Sequence, residues 1–236
     1  MRLRKVSILL IGAIIISFSS VLAQTIQERF EGEGKLSYKV YFNGVSVGKI
    51  EWEYLGQEFV EENKVDVIYV DSDTKILKLL NLESKERVFL DSKTHLPLKV
   101  ERDIVFFGKK ELIVETYNQE EGYVKISKGS SKGKEEFLYQ DKPIHNILAL
   151  LYFFPKDISL KKNVWMDFNL PTQKIKIKLV EERILVTGNE KKNTYFLIGI
   201  GANRFSLWLD KESRLPRRLE FILPAGKITI VRKIEN

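Results

Sequence analysis

The chain has 236 residues, 44% hydrophobic and 30% charged, enough to build a sizeable core. Cysteine is absent, which excludes disulfides and any lipid anchor on a cysteine. The formal charge of +7 falls to +4 if Arg2, Arg4 and Lys5 leave with a leader, and the remaining charges are interspersed, which argues against nucleic acid as a partner.

The N-terminus reads MRLRKVS, then an apolar run from Ile8 to Phe18 and then SSVLAQ. A basic head, a short apolar run and the small residues Val21 and Ala23 define a secretory signal peptide over residues 1–23. The run is short for a bilayer span, so no transmembrane segment is expected after cleavage. The mature chain, residues 24–236, contains no Pro/Ser/Gly-rich linker and reads as a single β-rich domain. The expected location is outside the cytoplasm, in the periplasm, as a soluble protein.

Period-two alternation dominates the mature chain. Leu36, Tyr38, Val40 and Phe42 share one face of LSYKVYF; Ile50, Trp52 and Tyr54 alternate with charged residues in KIEWEY. Ile175, Ile177 and Leu179 alternate with lysines in KIKIKLVEE. Such stretches are half-buried antiparallel strands, and Asn43-Gly44 and Lys128-Gly129-Ser130-Ser131 supply turns between them. The expected fold is mainly β, a curved antiparallel sheet or incomplete barrel. One stretch departs from period two. In DKPIHNILALLYFF, Ile144, Ile147, Leu148 and Leu151 have helical spacing, with Asp141 as N-cap and Pro143 in the first turn. This predicts a short amphipathic helix over about 142–154, covering a face of the sheet. KILKLLNL, from Lys75 to Leu82, is readable as a helical turn or a crossing loop.

Two phrases nearly match. FLDSKTHLPLKVE starts at Phe89, and WLDKESRLPRRLE starts at Trp208. In each, an aromatic-Leu strand end meets Asp91 or Asp210, whose side chain can bond its own downstream backbone. Pro97 or Pro216 then restarts an extended strand, where a missing ladder donor is tolerated. The two phrases therefore predict hairpins of one design.

LSYKVYFNGVSVGKIEWEY, PIHNILALLYFF and FSLWLDKESRLPRRLEFILPAGKITI together resemble a bacterial envelope family known as domain of unknown function 3108. The resemblance extends over most of residues 34–231 and includes the family's paired glycines, here Gly44 and Gly48. The chain departs from the family where a Leu-Arg pair would end the helix, having Tyr152-Phe153 instead. The aromatic-Leu-Asp turn is also similar to hairpins of periplasmic lipoprotein carriers, half-barrels whose helices lid an apolar cavity. That second likeness is one of fold.

Chemistry-bearing motifs are scarce. The sequence has no HExxH, GxSxG, P-loop or paired cysteines, and only two histidines, His95 in a polar turn and His145 near the helix start. No catalytic, metal or cofactor residue is assigned. The surplus is apolar. DIVFF and YFLIGI are greasy on both faces, and Phe89 and Trp208 point away from their Leu neighbours. The candidate ligand or lid residues are therefore Ile144, Ile147, Leu148, Leu151, Tyr152, Phe89 and Trp208. They suggest an envelope carrier for an apolar ligand such as a lipid acyl chain, or alternatively an adaptor that binds another envelope protein.

Overall fold

The computed structural model describes residues 35–60, 63–76, 80–129, 134–153, 160–188 and 190–233. The expected leader and its cleavage site lie outside them. Among the described residues there are fourteen strands: β1 Lys35–Phe42, β2 Val45–Val60, β3 Asn63–Ile76, β4 Leu80–Asp91, β5 Pro97–Phe106, β6 Lys109–Asn118, β7 Tyr123–Lys128, β8 Glu135–Tyr139, β9 Trp165–Leu170, β10 Gln173–Thr187, β11 Glu190–Ile200, β12 Arg204–Asp210, β13 Pro216–Leu223 and β14 Gly226–Arg232. One helix among the described residues, α1, spans Ile147–Phe153. KILKLLNL contributes the end of β3 and the start of β4, with residues 77–79 outside the described set.

All neighbouring strands pair antiparallel in one sheet, in the order β8-β7-β6-β5-β4-β3-β2-β1-β14-β13-β12-β11-β10-β9. The chain is thus two meanders joined by pairing of the first strand with the last, as in Val40 opposite Ile230. Because the first and last strands meet in the middle, β8 and β9, neighbours in sequence, become the two edges. The sheet is not closed into a barrel. Its curvature follows from the alternation seen in the sequence. Leu36, Tyr38, Ile50, Trp52, Val88, Leu90, Ile175, Ile177, Leu207 and Leu219 turn to the inner face and belong to one continuous buried cluster.

The segment between the two edges differs from the sequence expectation. The helix begins at Ile147, and its cap is Asn146, whose Oδ1 accepts the Leu148 N–H at 2.8 Å. Asp141 instead pairs with Lys174 in the open. Ile144 lies before the helix in a bridge to Asn169 of β9, because its backbone N–H and C=O are both taken by the Gln119 side chain, at 3.0 and 2.7 Å. The Leu148 N–H, which a helix through Ile144 would direct to the Ile144 C=O, goes instead to Asn146. Further bonds join the segment to both edges: Gln140 N–H donates to Gly122 O, the Gln140 side chain to Pro171 O, and His145 N–H to Asn169 O.

Strands β1–β6 and β9–β14 form two copies of one six-stranded unit. The β2–β3 pair slips between Tyr54 and Gly56, opposite Ile68 and Val67. The β10–β11 pair slips between Leu179 and Glu181, opposite Leu197 and Phe196. The β4–β5 and β12–β13 hairpins each bulge just after their prolines, at Leu98 and Arg217. Bulges fix register, so these two at corresponding places give β2–β5 and β10–β13 matching pairing, whereas a further shift between Val40 and Tyr41 in the β1–β2 pair has no counterpart in β9–β10.

The turns match bond for bond. Asp91 Oδ1 accepts the Lys93 and Thr94 N–H groups at 3.1 and 2.7 Å; Asp210 Oδ1 accepts those of Glu212 and Ser213 at 3.0 and 2.9 Å. Asp91 N–H donates to Leu96 O and Asp210 N–H to Leu215 O. His95 and Arg214 both adopt positive φ, 59° and 60°. Of the two family-like glycines, Gly44 follows Asn43 in a two-residue turn with φ of 83° and 49°, the mirror-image hairpin that suits twisted strands. Gly48 permits close strand approach, since a Cβ there would lie 2.3 Å from Asp73 O.

Candidate functional site

The apolar lining sorts the sequence-predicted residues into two groups. Ile144 and Leu148 are fully buried, Leu151 nearly so, and Ile147 packs partly buried against the same inner-face cluster. Tyr152 lies in α1, but its side chain is outside the described set. Phe89 and Trp208 are elsewhere. Phe89 joins Val65 and Val67 in a separate outer-face cluster, with Lys99 Nζ 5.7 Å from its ring centroid. Trp208 stacks on Phe196 at 4.9 Å, with the Arg218 guanidinium 5.5 Å from its ring centroid. Each ring is shielded by a cation and lies across the sheet from the helix.

A second constellation on the inner face escapes a reading of the sequence alone. Glu86, Arg102 and Glu115 occupy β4, β5 and β6 at positions that alternation turns inward, beside Val88, Val100 and Tyr117. Glu86 is fully buried. Arg102 Nε donates to Glu86 Oε2 at 2.6 Å, and Nη1 donates to Glu115 Oε1. The Ser84 hydroxyl donates to Glu86 Oε1 at 3.2 Å and the Tyr117 hydroxyl to Glu115 Oε2 at 2.7 Å. Asn146 Nδ2 donates to the Tyr117 hydroxyl at 3.3 Å, so the residue that caps α1 also closes this network. A continuous chain of bonds thus runs from the centre of the first meander to the lid segment.

The electrostatics come from burial and count. Two carboxylates face one guanidinium, leaving an excess negative charge in a dry setting. Burial pushes the Glu86 carboxyl above the ordinary carboxylate range, against the pull of Arg102. Burial works to lower Arg102, but the two carboxylates win and hold it more firmly charged than a free arginine. Burial and then the Glu115 charge push the Tyr117 hydroxyl well above its ordinary value. The signal is present in the sequence: Glu86 shares parity with Val88 and Leu90, as Glu115 does with Ile113 and Tyr117. Reading carboxylates for pairs close in sequence misses residues that the register brings together from three strands.

The histidines stay apart from this network. His145 packs edge-on against Phe168 at 5.4 Å, and burial holds its imidazole below the ordinary value. His95 lies in the Asp91 turn with Nδ1 4.0 Å from Asp66. Among the described residues, no group of three metal-ligating side chains gathers, and no helix is long and apolar enough to cross a membrane.

No protein-family model matches the chain, so the likeness to domain of unknown function 3108 rests on the quoted motifs alone. No curated protein matches either. Among solved structures, a β-barrel-like protein of domain of unknown function 1849 from Brucella abortus matches with a TM-score of 0.55 at 8% identity, covering 84% of this chain and 94% of that one. Lipoprotein LppX of Mycobacterium tuberculosis aligns over 94% of each chain at 8% identity, but its TM-score of 0.26 carries no argument. What the first of these likenesses gives is the fold alone, a barrel-like β architecture, which in this chain is an antiparallel sheet left unclosed.

Proposed function

We propose that this is an exported, non-enzymatic protein of the cell envelope, soluble in the periplasm after removal of residues 1–23, that carries or sequesters an apolar ligand such as a lipid acyl chain. The observation that carries the reading is the seam. The edges β8 and β9 do not pair, and the segment between them supplies Ile144, Leu148, Ala149, Leu150 and Leu151 to the interior. An apolar inner face closed by a separable strap has a way to open that a hydrogen-bonded barrel lacks. Displacing the strap would uncover apolar surface on both meanders, and that surface is complementary to an alkyl chain.

The test is uptake of a neutral fluorescent dye, N-phenyl-1-naphthylamine, by the purified protein, and then its displacement with acyl lipids. Saturable uptake that Leu148→Ala alters while the protein remains folded is the expected result. A wild type that binds no dye overturns the reading.

A second reading is favoured by one observation. The edge strand β8 exposes Phe137 and Tyr139, at 45% and 71% of their surfaces, along a strand paired on one side only. Such an edge suits an envelope adaptor that adds a partner's strand. Loss of partner capture on Phe137→Lys, in a protein that binds no dye, would favour it.

A further inference from the structure

The two meanders fill equivalent inner-face positions with opposite chemistry. The matched hairpins equate Glu86 with Phe205 and Arg102 with Phe221, and pairing of Val100 with Glu115 and of Leu219 with Ile230 equates Glu115 with Ile230. Val70 faces Glu86, and Gly199 faces Phe205. A Cβ at 199 would sit 1.9 Å from the Phe205 ring, so the glycine makes room for that ring. A fold that accepts Phe205, Phe221 and Ile230 at these sites does not require an ion triad there. Buried triads often return less than their desolvation costs.

The bonding left over in the triad says what it would take. Both oxygens of Glu86 and both oxygens of Glu115 already accept a hydrogen bond. Arg102 has five N–H donors and uses Nε and Nη1; Nη2 has no partner among the described residues, and the side chain keeps 11% of its surface accessible. The cluster therefore leaves one whole amino group of Arg102, Nη2, without a partner, while every carboxylate oxygen already holds one donor. An ammonium head would have to share oxygens already bonded to Arg102, Ser84 and Tyr117, and would set its charge beside the guanidinium. A carboxylate would add a third negative charge beside the two already buried. A neutral carbonyl oxygen meets neither obstacle.

Building on the carrier reading, we propose that Arg102 is the polar subsite of the inner face, receiving through Nη2 the carbonyl oxygen of an esterified acyl chain, whose tail lies along the apolar face toward the second meander. Tyr117 and Asn146 place this subsite beside the start of α1, so the ester end lies next to the lid.

The experiment displaces N-phenyl-1-naphthylamine with three ligands of equal chain length at neutral pH: a monoacylglycerol, the free fatty-acid anion and an alkylammonium. Wild type is compared with Arg102→Lys, which keeps the charge but loses the fork, and with a transplant of the second meander's residues, Val70→Gly, Glu86→Phe, Arg102→Phe and Glu115→Ile. Wild type should prefer the ester over either charged ligand by about tenfold, the scale of one charge-assisted hydrogen bond. Arg102→Lys should shrink that preference, and the transplant should erase it while dye still binds. Equal binding of all three ligands by wild type, or a preference that survives both variants, overturns the subsite and leaves the carrier reading standing. Absence of dye uptake by wild type overturns both.

Discussion

The first six strands of the first meander and the six of the second share two bulges and one turn design, yet at three inner-face positions one carries Glu86, Arg102 and Glu115 and the other Phe205, Phe221 and Ile230. The shared features are those that backbone geometry demands. An Asp that bonds two downstream N–H groups, a proline where no ladder donor is needed, and a bulge that sets twist recur because together they close the hairpin locally. The differing features are side chains on a face already specified, where packing tolerates several fillings. Comparing the halves separates what the sheet needs from what it has been given, and the ion triad falls in the second class.

The comparison is broken most forcefully by removing the cation alone. Arg102→Leu leaves two carboxylates buried together, and the expected loss is about 3–5 kcal/mol. Phe221→Leu at the twin position sheds only part of a ring and should cost about 1–2 kcal/mol. Urea denaturation of both variants measures the contrast. Similar costs would mean that the triad behaves as ordinary core.

The turns test the opposite side, the shared one. Asp91→Ala and Asp210→Ala each remove two backbone-directed bonds, a loss on the scale of about 1–2 kcal/mol seen for helix caps. Asp210 should cost more, because Arg217 Nε also donates to it at 3.0 Å, whereas the matching position in the first hairpin is Leu98, which has no donor to offer Asp91. Burial works to raise both carboxyls, but the donated hydrogen bonds win and hold them below the ordinary range. Depressed values contribute stability that is full above the unfolded value and lost as pH falls through the folded one. The acid limb of the stability curve should therefore flatten in Asp210→Asn, below about pH 4.

A smaller effect with the opposite sign belongs to the triad. Glu86 is raised in the folded state, so the folded protein holds its proton more tightly than the unfolded chain does. Stability should then fall as pH rises from the ordinary glutamate range through the raised folded value. Glu86→Gln should remove that slope and leave the turn-dependent acid limb intact. Chemical denaturation from about pH 4 to about pH 7 reads the slope, and its extension below about pH 4 reads the limb.

How much of this is legible in the sequence depends on which interactions are local. The strands can be read from alternation, since each burial pattern is written in neighbouring residues such as Ile175, Ile177 and Leu179. The twin turns can be read because Asp91 and Pro97 act close together along the chain. The helix start cannot. Asp141 and Pro143 look like a cap and a first turn, but Gln119, distant in sequence, takes both backbone groups of Ile144 and delays the cap to Asn146. The triad is hidden for the same reason, since its members are 16 and 13 residues apart and meet only through register. Phe89 and Trp208 group with the helix residues in the sequence because greasy strands mark both faces, and only the sheet's curvature says which is inner.

The most direct test is the stability of the four-residue transplant, Val70→Gly, Glu86→Phe, Arg102→Phe and Glu115→Ile, in urea at neutral pH. If the triad serves a ligand and not the fold, the transplant should unfold cooperatively with a stability equal to wild type or higher by about 1–4 kcal/mol, as other apolar replacements of buried triads do. A transplant less stable than wild type by several kcal/mol would contradict the account, because the first meander would then need its charges to fold.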